Sequence, residues 1–190
     1  MQITYKNIYN SIATICLVAM FFSCTNNAKQ VRDFLADKNK PIGVAKNAFH
    51  KYKDSGVVTS KLTTPLLYDF ANREEHPYNE FPKGVKIITF DKKGLDSTTV
   101  TGNYCISYNK TAVSEIKGNV VVFNHTDNVR LETNQLFWDQ KERYFFTEDG
   151  FRLSTETDTI NGFGLEARQD LKKWVAKDIT GDVQTNQNEL

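Results

Sequence analysis

Three cysteines, three histidines and two adjacent glutamates are the residues with the most reactive chemistry to offer. Cys16 lies inside an uncharged apolar run, Cys24 follows that run, and Cys105 stands alone in mid-chain. No two of them share a metal-ligand or paired spacing, so the chain carries neither a disulfide framework nor a zinc signature. A lone thiol such as Cys105 reads as a small buried hydrophobe rather than a nucleophile. His50, His76 and His125 are far apart and sit among polar or turn residues, whereas a metal site needs clustered ligands with a supporting shell. No Gly-x-Ser-x-Gly elbow promotes a serine. Glu74 and Glu75 are neighbours in a loop-like stretch and do not face each other across a substrate. No catalytic residue, metal or cofactor is expected, and the chain reads as a non-enzyme.

Cys24 is the exception, because its surroundings suggest acylation. Residues 12–22 are uncharged and apolar, with Lys6 before them. Eleven such residues match the apolar region of a signal peptide, while a membrane-spanning helix needs about 20. A small residue, Ser23, precedes the cysteine, as in a lipoprotein signal in which the cysteine becomes the acylated first residue. Phe21 and Phe22 stand where smaller aliphatic residues are usual, and an uncleaved signal anchor is the other reading. Either way the protein is exported and tethered to a bilayer; two acyl chains, at about 0.8 kcal/mol per buried methylene, anchor stably. The chain therefore divides into a signal or anchor (1–23), a polar tether with at most a helical turn (24–45), a folded domain (46–183) and a polar tail (184–190).

Charge excludes one large class of partner. Lys6 is the only charged side chain before Cys24, so without that segment the 24 Lys and Arg fall by one and equal the 23 Asp and Glu. A nucleic-acid binder gathers a basic excess on one face, and no basic stripe interleaves with the aromatic residues. From about Phe49 onward apolar residues alternate with polar ones, which predicts short strands. Turn signals punctuate them, among them Lys117-Gly118-Asn119, Asp139-Gln140-Lys141, Asp149-Gly150 and Asn161-Gly162. The fold class is all-β, a meander of many short antiparallel strands. A weak repeat of 29–30 residues links Ile106, Leu136 and Leu165, the mark of stacked units. Leu171, Trp174 and Val175 have helical spacing, so residues 166–177 form either a strand pair or a short helix.

The alternation collects Tyr104, Ile106, Tyr108, Val120, Val122, Leu131, Leu136, Trp138, Tyr144, Phe146, Phe151 and Leu153 on one face. That face closes an ordinary sandwich core or lines a groove for something apolar; alternation alone does not choose between them.

Particular segments carry a resemblance. Tyr78-Asn79-Glu80-Phe81-Pro82-Lys83-Gly84, Tyr108-Asn109-Lys110-Thr111, Gly118-Asn119-Val120-Val121-Val122, Leu131-Glu132-Thr133-Asn134-Gln135-Leu136-Phe137-Trp138-Asp139 and Gly162-Phe163-Gly164-Leu165-Glu166-Ala167 resemble, in that order, the LptC family, a periplasmic, inner-membrane-associated component of lipopolysaccharide export. The form resembles that of Bacteroidetes-type bacteria. The better-known members hold a transmembrane helix at the N-terminus, where this sequence has a lipoprotein-like signal. The resemblance implies an open twisted β-jellyroll whose free edges pair with neighbours. It also implies lipopolysaccharide, the inner-membrane ABC transporter and a periplasmic bridge protein as partners. Acyl chains then lie along the groove face, and the candidate contacts are Tyr104, Ile106, Tyr108, Val120, Val122, Leu131, Leu136, Trp138, Phe146 and Phe151. A structural adaptor that docks envelope partners through its edges, without binding lipid, is the alternative.

Overall fold

The computed structural model describes residues 28–91, 94 and 97–180. The apolar run at 12–22, Cys24 and the tail at 184–190 lie outside them. One helix, α1 (Ala28–Asp37), precedes eleven strands: β1 (Gly43–Asp54), β2 (Val57–Phe70), β3 (Tyr78–Phe81), β4 (Val85–Phe90), β5 (Ser97–Gly102), β6 (Tyr104–Tyr108), β7 (Val113–Asn124), β8 (Val129–Asp139), β9 (Tyr144–Ser154), β10 (Thr159–Arg168) and β11 (Trp174–Thr180). Every pairing between them is antiparallel.

The stretch expected to be a tether is more ordered than its polarity suggested. Val31, Phe34 and Leu35 recur at helical spacing in α1, and a Schellman motif ends the helix. Asn39 is left-handed (φ 53°); its N–H donates to the Ala36 carbonyl and the Lys40 N–H to that of Leu35. Asparagine tolerates that conformation better than most residues, which is why the helix stops there. Arg73 then fastens it to the domain, donating to the Ala36 carbonyl and to Asn39 Oδ1, each at 2.6 Å. Strand β1 begins at Gly43, inside the expected tether.

The strands form one sheet in the order β11-β10-β9-β8-β7-β5-β4-β2-β3-β6, with β6 returning to pair with β7 and β1 flanking β2. A line of irregularities crosses it. Gly84 (φ 87°) separates β3 from β4, and Asn103 separates β5 from β6. Gly118 (φ 74°) and Asn119 (φ 48°) interrupt β7, and Gly164 (φ 68°) interrupts β10. The register shifts between Thr133 and Phe137 in β8, and between Phe163 and Leu165 in β10. Gly118 follows Asn103 by fifteen residues and the β8 shift follows Gly118 by about as many again, near half the repeat visible in the sequence. Bulges and left-handed residues bend a strand, and here they interrupt the central strands from β3–β4 through β10. The polar groups that the bend removes from the ladder find other partners, as buried backbone must: Thr64 donates to the Gly84 carbonyl (2.8 Å), Thr133 to that of Gly150 (2.9 Å), and the Asn103 N–H is shared by Lys117 and Gly118.

Folded along this seam, the sheet makes two arms. Val100, Val122, Leu131 and Leu153 come from one, Ile116, Leu136, Phe145 and Leu165 from the other, and all belong to a single buried cluster. The two-arm, all-β architecture with unpaired outer edges on β1 and β11 is the open twisted jellyroll that the resemblance implied. Residues 166–177 form no helix. Chain direction reverses at Leu171 (φ 55°), and β11 pairs back on β10 with Ala167 opposite Trp174.

Candidate functional site

Among the described residues, the inner face of the bent sheet gathers the buried apolar side chains of the central strands into one cluster. Of the sequence candidates, Val120, Val122, Leu131, Leu136, Trp138, Phe151 and Leu153 are on it, each buried in the shared cluster. Tyr104, Ile106, Tyr108, Tyr144 and Phe146 are half-buried instead, and the register shows why: they lie on the opposite, outer face. Cys105 stands opposite Ile116, which stands opposite Leu136, so the inward row of β6 is Cys105 and Ser107. In β9 the inward aromatic is Phe145, which meets Trp138 across the ladder at 5.9 Å between ring centroids. A one-residue slip exchanges the two faces of a strand. The slip arose because Tyr104, Ile106 and Tyr108 are more apolar than Cys105 and Ser107, and because Tyr144-Phe145-Phe146 is apolar on both faces.

Two of the outward tyrosines are held by carboxylates. Tyr104 donates to Glu80 Oε1 (3.0 Å) and Tyr144 to Glu166 Oε2 (2.8 Å). Burial, then the bond to the acid, raises each phenol above its ordinary range. Inner-face residues that sequence reasoning missed include Val85, Ile87, Val100, Ile116, Phe145 and Leu165, while Cys105 is the small buried hydrophobe it was expected to be. The strict alternation Val85-Lys86-Ile87 was a signal for two of them.

The chemistry of this face is that of a hydrocarbon. Burial, and secondarily the Glu115 charge, pushes the Cys105 thiol up to about 12, so it stays protonated and unreactive in the fold. Among the described residues no three His, Cys, Asp or Glu side chains come together as metal ligands. Polar groups gather at the free tips of the arms. There the arms part into two adjoining clefts of about 420 and 380 Å³ that share Thr89, Phe90, Arg143 and Gln169. Trp138 borders the larger cleft, and its Nε1, itself buried, has no hydrogen-bond partner among the described residues.

The edges differ from the core in being both unpaired and apolar outside. Val44, Phe49 and Tyr52 are exposed on β1, as are Val175 and Ile179 on β11. Bare edges of this kind present unpaired N–H and C=O groups to which another strand can add.

A family model described as lipopolysaccharide-assembly, LptC-related, matches residues 12–183. The chain belongs to the LptC family. No curated protein matches it. Membership carries a role in lipopolysaccharide transport and a periplasmic setting associated with the inner membrane. This LptC-family chain has no helix, among its described residues, long and apolar enough to cross a membrane.

Proposed function

We propose that the protein receives lipopolysaccharide from an inner-membrane ABC transporter and passes it to the next periplasmic bridge protein. Its β edges pair with the neighbours on either side, and its bent inner face holds the acyl chains. One observation carries this reading. The buried apolar cluster spans β2 to β10 and is continued by Trp174 and Ala176 of the edge strand β11, so stacking on that edge would join it to the interior of a neighbouring domain. Strand addition supplies main-chain hydrogen bonds, and the exposed β1 and β11 side chains give the contact its selectivity. No bond is made or broken on this chain; the work comes from ATP hydrolysis by the transporter. The N-terminal segment holds the domain at the inner membrane, through acylated Cys24 or as an uncleaved anchor. Helix α1, fastened by Arg73, fixes where that segment leaves the domain.

The packed interior favours one second reading. Val122, Leu131, Leu136 and Leu153 are fully buried against protein, as expected of a structural adaptor that docks partners through its edges and carries no lipid. Acyl chains reach these residues only when the arms separate. Depleting the protein and following pulse-labelled lipopolysaccharide tests the broader proposal: newly made lipopolysaccharide should accumulate in the inner membrane. Unchanged arrival at the cell surface would refute a transport role.

A further inference from the structure

The free tips of the two arms are clasped at one place by the β10–β11 turn, residues 169–173. Leu171 in this turn is 2% exposed and belongs to the core cluster that both arms share. It reaches that position only by adopting a left-handed backbone (φ 55°), which is costly for a branched, bulky side chain. Strain of this kind persists where surrounding contacts hold it and points to function when found. Bonds within the turn shape it, Leu171 N–H donating to the Arg168 carbonyl and Lys172 N–H to Asp170 Oδ1, and contacts from the other arm hold it against the core. Asn124, completely buried at the end of β7, donates from Nδ2 to the Asp170 carbonyl (2.6 Å) and to Asp127 Oδ2 (2.9 Å). Its Oδ1 accepts the N–H groups of Thr126 and Asp127. Lys172 pairs with Asp127 across the same gap at 3.3 Å, an exposed bridge of small effect. Beside this clasp lies the cleft formed by Thr89, Phe90, Arg143, Arg168 and Asp170, where the arms already part.

We propose that the β10–β11 turn is a removable plug, and that the space Leu171 fills between the arm tips is the place where a fatty-acyl chain enters the interior sideways. The inference rests on the lipid-carrying reading above and adds the point of admission. Leu171 is itself a short branched hydrocarbon, so an acyl chain replaces its contacts like for like. The partners it leaves need no rescue from water, while Asn124 keeps its bonds within its own arm. The seam of glycine and asparagine on the far side is the corresponding pivot.

The test bridges the clasp covalently. The full-length chain carries Asp127→Cys and Lys172→Cys, joined by a short reducible bis-maleimide and verified by mass, with a photoreactive residue at Leu136. Exposed to lipopolysaccharide and light, the bridged protein should give no lipid adduct, and reduction should restore the unbridged yield. Equal adduct in bridged and reduced forms would overturn the plug while leaving the lipid-carrying reading intact. No adduct in the unbridged protein would overturn both. A second variant, Leu171→Gly, suits the left-handed backbone and removes the plug. Its adduct should form several-fold faster than in the parent, and an unchanged rate would count against the plug independently.

Discussion

Phe137 and Phe146 stack with ring centroids 4.9 Å apart and planes 11° from parallel on the outer face of the sheet, immediately behind the buried pair Trp138 and Phe145. The four rings make a layered clamp across β8 and β9, half of it facing solvent. The outer pair is cross-strand neighbours, and such pairs contribute about 0.5–1.5 kcal/mol beyond their buried area. A double-mutant cycle of Phe137→Ala and Phe146→Ala, read by urea unfolding, should return a coupling in that range. The outer pair should leave lipopolysaccharide transport intact, whereas Trp138→Ala should weaken both folding and transport.

Gly102 ends β5 where the sheet bends, and a methyl group added there would overlap Ile116 Cγ2. Ile116 is fully buried, so its methyl cannot yield cheaply. Gly102→Ala should destabilise the domain by about 1–3 kcal/mol, the usual range for overpacking, with an unchanged denaturant slope. Ile116→Ala removes the Cγ2 methyl itself, so the double variant Gly102→Ala/Ile116→Ala should cost less than the two single losses summed, which identifies the clash rather than the glycine's flexibility as the cause.

Cys105 makes the stability depend on alkaline pH. Its thiol is pushed from 9.0 to about 12, first by burial and then by Glu115. The neutral form is therefore the folded form. Its contribution is complete below about pH 9, where the thiol is protonated in both states. It is lost as pH rises toward 12, because the unfolded chain ionises first. Cys105→Ala should flatten this part of the pH–stability profile. In the native protein at pH 8 the thiol should resist iodoacetamide and react once urea unfolds the domain.

Arg73 holds α1 through two short bonds while its guanidinium lies 5.3 Å from the Phe70 ring. Arg73→Ala should release the helix without unfolding the sheet. Amide exchange should quicken at residues 36–40, and domain stability should drop by about 1 kcal/mol. If the helix fixes how the domain stands at the membrane, co-purification with the transporter should also weaken.

The all-β class was legible from alternation and turn chemistry, and the family from ordered segments such as Gly118-Asn119-Val120. The repeat was legible too, but its meaning was not. The spacing of about fifteen residues marks successive crossings of one bend, a fact that exists only once the strands are paired. Phase failed at β6 because a break at Asn103 resets the alternation between β5 and β6. It failed at β9 because three consecutive aromatic residues fit either face. Helix α1 was underestimated because its apolar residues, Val31 and Phe34, remain largely exposed, so burial is not what the pattern records. Leu171 shares a helix-like spacing with Trp174 and Val175, yet its left-handed backbone forbids a helix.

The central claim is that lipid occupies the inner face. In-cell photocross-linking tests it most directly, with a photoreactive residue placed in turn at inward Leu136, Val122 and Leu153 and at outward Phe146 and Tyr108. Lipopolysaccharide adducts at the three inward positions and none at the two outward ones is the predicted result. Adducts nowhere, in a domain that still folds and still co-purifies with the transporter, would contradict it and leave the edge-docking adaptor.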